Sequence, residues 1–306
     1  MEIIETPSAE FWEDVVSQGP CATFYHTPLW SKALAETYPE LAVSAKGFIF
    51  EDGTRAMMPL LCSRHGFFKK KLRYKSLGFG SYGGPAYAGT WDAAKNEALY
   101  RYFKSKKASL HVDGNPLWRY DLPDCFSKSD VSTYAIRLDK PEDALWKQFS
   151  SGHQRGIKAA KKKGVTVRKA SSLRDYEAYC SIYKDTLERW GKKTVIEFPD
   201  SLTLKLLEPH HDSVILWLAE IDARPIAGII IFYCNTMAHY WRGASIKKDM
   251  EYHASTFLQW VVMQDALHKG YALYDFAPSG SLEGVDEFKR RFGAEKIFFK
   301  KGHLKG

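Results

Sequence analysis

Two stretches near the C-terminal end of this chain hold side chains able to do chemistry. Asp275 closes the apolar run Leu273-Tyr274-Asp275-Phe276 and is followed at once by Ala277-Pro278-Ser279-Gly280, a turn by composition. A carboxylate there can receive a proton from a substrate amine or orient a nearby cation, and it can equally cap the turn. Lys289-Arg290-Arg291 comes next, between Phe288 and Phe292, and taken alone it reads as a solvated basic run. Farther upstream, Gly152 to Lys163 carries Arg155, Lys158, Lys161, Lys162 and Lys163, with Arg168 and Lys169 just beyond. That density suits tRNA or an acidic membrane surface, although a solvated helix face is the commoner cause. Gly78-Phe79-Gly80-Ser81-Tyr82-Gly83-Gly84-Pro85 either offers backbone amides to a phosphate at a cleft or simply lets two backbones pass closely.

Several chemistries find no support. His210-His211 and His239 lack metal-ligand spacing with an acidic partner. There is no Gly-x-Ser-x-Gly elbow, Walker loop or dinucleotide fingerprint. Cys234, beside Asn235 at a hairpin, has nothing near it in sequence to lower its pKa and reads as structural. The five cysteines form no Cys-x-x-Cys pair, which fits a reducing compartment. Met1-Glu2-Ile3-Ile4-Glu5 lacks a basic leader followed by an apolar stretch, and no apolar run nears the roughly 20 residues of a membrane span. A cytoplasmic protein is therefore expected. Its formal charge of +8 favours anionic partners: nucleic acid, nucleotide diphosphates or acidic lipid.

The elements that must position these groups come in two similar series. In the second half, Val214 to Ile221, Ile226 to Tyr233 and Met237 to Gly243 read as a three-stranded meander broken by short turns. An apolar helix from Tyr252 to Lys269 and the strand Leu273 to Phe276 follow. In the first half, Val43 to Phe50, Arg55 to Cys62 and Leu72 to Phe79 read as strands, the last after a basic hinge at Lys69, Lys70 and Lys71. A helical stripe from Trp91 to Phe103 and the strand from Ser109 complete the repeat. Helices are expected over Pro141 to Phe149, Gly152 to Lys163, Leu173 to Arg189 and Asp200 to Leu207, with a strand at Val165 to Lys169. The seam falls near residue 140, giving domains 1–139 and 140–306 in an α/β chain of mixed sheets.

The segment Gly284-Val285-Asp286-Glu287-Phe288-Lys289-Arg290-Arg291-Phe292-Gly293 resembles the C-terminal signature of the FemAB family of aminoacyl and peptidyl transferases. Trp146-Lys147-Gln148-Phe149 with Arg155-Gly156-Ile157-Lys158-Ala159-Ala160 is similar to another FemAB stretch, and the wider BioF2-like acyltransferases share these loose motifs. The resemblance implies two tandem GNAT-like domains that transfer an acyl group to an amine. It implies that Lys289 stabilises the oxyanion, with Phe288 beside the reacting end, and Asp275 or a water receives the amine's proton. It makes Tyr252 a substrate contact, and Arg189 (in Thr186-Leu187-Glu188-Arg189) and Lys32 cations for a precursor's diphosphate. Arg155 joins them as a substrate-binding candidate.

Under this resemblance the acceptor is a nucleotide- or lipid-linked envelope precursor bound in a cleft, the donor is aminoacyl-tRNA, and neither metal nor resident cofactor takes part. Peripheral contact with acidic membrane is open, as is oligomeric state. Ordinary GNAT enzymes hold the CoA pyrophosphate on a glycine-containing loop, whereas Ile246 to His253 contains no glycine, which disfavours acyl-CoA as donor. The absence of any segment long enough for an antiparallel helical hairpin points to a shorter, FemX-like architecture. Two rivals stand beside this reading: an acyl-CoA-dependent N-acyltransferase acting on amino sugars of surface polysaccharide, and a non-catalytic scaffold that binds envelope precursors or RNA.

Overall fold

The computed structural model describes residues 1–63, 73–191, 198–208, 212–279 and 283–305. The basic hinge at Lys69, Lys70 and Lys71, with Leu72, lies outside the described residues, as do His210-His211 and Gly280. The chain divides into two compact units, Met1–Ser132 with Ile297–Gly306, and Thr133–Lys296. The boundary thus falls earlier than the expected seam, inside the strand Ser127–Arg137, and the C-terminal residues rejoin the first unit. Neither feature carries a turn or linker composition that a sequence reading could use.

The first unit contains β1 (Glu2–Ile4), α1 (Ala9–Gln18), α2 (Pro28–Thr37), β2 (Leu41–Val43), β3 (Lys46–Ile49), β4 (Arg55–Met58), β5 (Leu61–Ser63), β6 (Arg73–Ser76), β7 (Ala86–Ala88), α3 (Ala93–Ser105) and β8 (Ser109–Val112). Two strands expected to be continuous are each cut in half. Val43 to Phe50 breaks at Ser44-Ala45, and Arg55 to Cys62 breaks at Pro59-Leu60. The proline has no N–H to give a ladder, so pairing stops there. Ser44 N–H donates to the Leu60 carbonyl at 2.8 Å, which sets the two breaks opposite one another. β3 and β4 stay in a four-stranded sheet of order β1-β3-β4-β7, while β2 and β5 pair in a second sheet with β6 and β8. The glycine-rich turn performs its backbone role. Gly83 N–H donates to the Asp113 carbonyl at 2.8 Å, and a Cβ on Gly83 would collide with the Ser76 carbonyl.

β9 (Ser127–Arg137) leads into the second unit, which continues with α4 (Glu142–Gln148), α5 (Ser151–Lys162), β10 (Thr166–Lys169), α6 (Leu173–Trp190), α7 (Asp200–Leu207), β11 (Val214–Ile221), β12 (Arg224–Cys234), β13 (Met237–Ser245), α8 (Ala254–His268), β14 (Leu273–Asp275) and α9 (Glu283–Arg290); β15 (Glu295–Leu304) then leaves it. The sheet order is β10-β11-β12-β13-β14-β9. Among these pairs only β13 and β14 are parallel, and α8 connects them. In the first unit β6 and β8 are likewise parallel, and the connection between them passes through β7 of the other sheet and then α3. The strand-helix-parallel strand order is therefore written twice, in the mixed α/β arrangement expected.

α8 starts later than its apolar pattern suggests. His253 adopts a left-handed backbone (φ 53°) and cuts the helix from a 3-10 segment, Lys247–Tyr252. Tyr252 accordingly ends that turn rather than opening the helix. The body of α8 is buried on most sides, and it packs with Phe149, Phe276 and Phe292 into one core.

Part of the basic cluster turns out to be structural. Arg168 bridges two nearly buried acids, with Nη2 at 2.6 Å from Asp175 and 2.7 Å from Glu220, tying β10, α6 and β11 together. The guanidinium holds the Asp175 carboxyl far below the usual carboxylate range. Lys163 pairs with Glu251 and Lys169 with Asp265, whereas Arg155, Lys158, Lys161 and Lys162 stay at the surface along α5. Arg168→Met should leave two like charges facing each other and destabilise the second unit by about 2 kcal/mol, the full buried-pair penalty being reduced by the arginine's partial exposure. A urea titration reads the loss as a lower midpoint, and Glu220→Gln in the same chain should recover part of it.

Candidate active site

The chemistry-bearing residues of the second unit gather around a cavity of about 1120 Å³. Ile226, Ile229, Tyr240 and Gly243 from β12 and β13 form its floor, and Gly152, His153 and Gly156 of α5 form one wall. The floor is shaped by a bulge. Pairing of β12 with β13 shifts between Ile230 and Ile231, so that Trp241 is the extra residue and Tyr240 is displaced along the strand. A Cβ on Gly243 would strike the Tyr240 ring and hydroxyl, so a larger residue there would displace Tyr240.

A third side comes from the beginning of α8, where Ala254, Ser255, Thr256 and Gln259 line the cavity. No side chain caps this helix. Its first-turn amides, which have no partner inside the helix, form the positive end of the dipole and suit an anion. Gln259 is buried, and its Oε1 accepts the hydroxyl of the fully buried Tyr274. Its amide nitrogen has no partner among the described residues.

Arg189 reaches the same cavity from the end of α6. One turn of helix separates it from Thr186. Both side chains bond the Ser245 carbonyl, Thr186 at 3.1 Å and Arg189 Nη1 at 3.2 Å, and Ser245 N–H donates back to Thr186 at 3.0 Å. The Thr-x-x-Arg spacing thus docks α6 on β13 and leaves most of the guanidinium donors uncommitted.

α9 brings in Phe288, which lines the cavity, and Lys289, next to it in sequence, which is buried and not part of the lining. Lys289 is no member of a solvated run. It is 2% exposed, whereas Arg290 and Arg291 are exposed and pair with Glu287. Its Nζ donates to the Ala277 carbonyl at 2.7 Å. An ammonium has three N–H donors, and the other two have no partner among the described residues. Burial lowers its pKa to about 8, with Asp275 and Asp286 opposing that shift. Ala277 itself has a left-handed backbone (φ 60°), strained for a residue with a Cβ, at the point where its carbonyl receives the ammonium.

Asp275 is fully buried and does not line the cavity. Thr133 Oγ1 donates to one carboxylate oxygen at 2.6 Å and His239 Nδ1 to the other at 2.5 Å, linking β9, β14 and β13 side by side. Tyr252 is half-buried, with Lys163 Nζ 5.2 Å from its ring centre, and is not part of the lining, although Met250 and His253 on either side of it are. Arg155 is exposed on α5. Lys32 stands on α2 of the first unit, 76% exposed beside Glu36. The structure therefore places Phe288 and Arg189 on the cavity, buries Lys289 beside Phe288 in sequence and near Asp275, and leaves Lys289, Asp275, Tyr252, Arg155 and Lys32 off the cavity lining. His153, Tyr240, Thr256 and Gln259 were missed. Gln259 and Thr256 had a signal, as polar residues on a helix whose other nearby positions are mostly apolar.

Among the described residues, no group of three or more His, Cys, Asp or Glu could hold a metal ion, and no helix is long and apolar enough to cross a membrane. Residues 147–290 match the acetyltransferase (GNAT) domain family, which together with the mixed α/β fold supports an acyltransferase of GNAT fold. Across nearly its whole length the chain shares its fold with FemX, at 13% identity and a TM-score of 0.71, covering 99% of this chain and 97% of FemX. It is similar at TM-score 0.58 and 12% identity to the C-terminal domain of a putative lysylphosphatidylglycerol synthetase from Agrobacterium fabrum (97% and 92% covered). L-PGS from Bacillus licheniformis gives the same score and identity (100% and 95% covered). No curated protein matches by sequence. The expected likeness to the FemAB group holds at the level of fold.

The buried ammonium gives a stability test. The unfolded chain keeps the lysine protonated to about 10.5, and the folded chain releases the proton near 8. Folding therefore binds fewer protons between those values, so stability rises with pH across that window, and below about 8 the charge costs the fold its full penalty, about 3 kcal/mol. Losing the bond to the Ala277 carbonyl offsets about 1 kcal/mol of this. Lys289→Met should raise the melting temperature at pH 7 by a few degrees, with the gain shrinking toward pH 10. A fall of several degrees at pH 7 would show instead that the ammonium stabilises the fold.

Proposed function

We propose that this protein is a FemAB-like N-acyltransferase that moves an aminoacyl or other acyl group onto the amine of an anionic envelope precursor. One observation carries the reading: Lys289 is buried against its own electrostatic preference, next in sequence to Phe288, which lines the broad cavity of the GNAT-like unit. A fold retains such a group at a stability penalty where the charge has work to do.

In the transfer, the amine nitrogen attacks the carbonyl carbon of an activated ester or thioester. Negative charge develops on the carbonyl oxygen, and the two unused N–H donors of Lys289 supply the stabilisation. A preorganised donor of this kind contributes about 3 kcal/mol. Phe288 excludes water at the reacting end, which strengthens that interaction. Arg189 and the open amides of α8 receive phosphate oxygens. One structural neighbour is, by name, a lysylphosphatidylglycerol synthetase, and that name fits aminoacyl transfer to an anionic acceptor. Aminoacyl-tRNA is the favoured donor, with the exposed cations of α5 as its contact, because the segment before α8 lacks the glycines that admit a CoA pyrophosphate.

A second reading, acyl-CoA-dependent acylation of amino sugars in surface polysaccharide, is favoured by the acetyltransferase (GNAT) match and by the uncapped start of α8. A thermal-shift panel separates the two. Purified protein is heated with UDP-linked muramyl pentapeptide, acetyl-CoA, free CoA or uncharged tRNA, since a ligand of the folded state raises the melting temperature. We expect a shift with the muramyl precursor that disappears in Arg189→Ala. A shift with CoA alone moves the assignment to the second reading. Transfer rates should also fall on the alkaline side with a midpoint near pH 8, as Lys289 loses its proton, whereas full turnover by Lys289→Met would make the lysine dispensable.

A further inference from the structure

We propose that His153 is the general base of this transfer: its Nδ1 takes the proton that the attacking amine must lose. The inference rests on the acyl-transfer reading above and fills a place that reading leaves empty. The carboxylate of Asp275 is sealed from the cavity and occupied by Thr133 and His239. His153, by contrast, lines the cavity from the first turn of α5.

The geometry settles which ring nitrogen is basic. His153 Nε2 lies 3.0 Å from the Phe288 carbonyl. A carbonyl only accepts, so Nε2 carries the hydrogen, and in the neutral imidazole Nδ1 is left with its lone pair. Nδ1 has no partner among the described residues. The ring is held in place by Phe292, with centroids 4.3 Å apart, and by Phe288, edge-on at 5.2 Å. This is the arrangement of an oriented base, with one nitrogen fixed by an acceptor and the other open. Because Lys289 is the next residue after Phe288, one turn of α9 orients the base and carries the oxyanion's partner.

The charges around the ring keep it neutral. Burial lowers its pKa below the ordinary 6.5, the Phe288 carbonyl opposes that, Arg291 just past α9 and His253 at the start of α8 lower it further, and Glu287 of α9 raises it. Glu251, in the 3-10 segment packed on α5, is paired with Lys163. His153 is thus ready to accept a proton at neutral pH.

The step balances without a further reactant. The unprotonated amine forms the C–N bond, its surplus proton passes to Nδ1, the carbonyl π pair becomes the oxyanion facing Lys289, and the pair returns as the bond to the donor's oxygen or sulfur breaks. The imidazolium returns its proton to that leaving group.

His153→Gln tests the assignment, because the Gln amide can still donate to the Phe288 carbonyl but offers no basic nitrogen. Turnover is measured with alanyl-tRNA, and in parallel with acetyl-CoA, using UDP-linked muramyl pentapeptide as acceptor. We expect kcat to fall about 100-fold or more with KM little changed. The acid limb of the wild-type pH profile, below about 6.5, should vanish while the alkaline limb near 8 persists. Added imidazole should restore part of the rate to His153→Ala. Wild-type kcat and an intact acid limb in His153→Gln would overturn the base while leaving Lys289 and the transfer reading in place. A wild type inactive with both donors, or a Lys289→Met variant with full activity, would count against the transfer reading itself. NMR titration of the His153 ring gives an independent check, since a pKa above 6.5 or a proton on Nδ1 in the neutral form would also overturn the proposal.

Discussion

Burying one ammonium group is the constraint on which the second unit's architecture turns. Lys289 can be kept dry only if something accepts its hydrogen bonds and something shields it from water. The first need is met by the Ala277 carbonyl, delivered by a strained left-handed residue just past β14. The second is met by Phe288 and Phe292, which pack α9 onto α5 and the core. The parallel insertion of β14 between β13 and β9 then fixes where that carbonyl sits, and Asp275 is locked by its two neighbouring strands. The strain at Ala277, the aromatic packing and the sealed carboxylate make one arrangement, in which each part is needed for the charge to survive burial.

Much of this was legible in the chain, and the reasons differ by element. β11, β12 and β13 were found within a residue or two because each is an apolar, β-branched or aromatic run set off by short turns, and nothing in tertiary packing overrides that pattern. α5 and α6 were found because their apolar spacing is helical and their ends are capped by Ser150 and Ser172. The first unit was read less well. Its strands switch sheets at Ser44-Ala45 and Pro59, and a continuous apolar run does not say which sheet each half joins. β9 and β15 were missed because β9 opens on the polar run Ser127-Lys128-Ser129-Asp130 and β15 intersperses lysines and a glycine among its apolar residues, so that pairing with neighbours is what makes them strands.

For the site, type and burial parted company. The Phe-Lys pair and the Thr-x-x-Arg turn were found because they sit in contiguous motifs. His153 was invisible because its meaning depends on a carbonyl 135 residues away in sequence. Lys289 shows the opposite problem. Three consecutive cations look alike on paper, yet Lys289 turns inward on α9 while Arg290 at its end and Arg291 just past it turn outward, and only the helical face decides which. The uncapped start of α8 also reverses part of the sequence argument. The missing glycines suggested a poor phosphate site, but a left-handed His253 opens the helix end in another way.

The breadth of the cavity has a consequence for fidelity. A volume of about 1120 Å³ exceeds what a short acyl chain fills. Rejecting a competitor by size depends on a close-fitting wall, and even then one methylene changes the transition-state energy by only about 1 to 3 kcal/mol. A chamber this loose would sort its donors poorly by shape. On the proposed transfer, discrimination would fall to the few polar anchors, Arg189, Gln259 and the amides of α8, which would recognise the handle of a substrate rather than the group it delivers. An enzyme built this way is choosy about the carrier and permissive about the cargo.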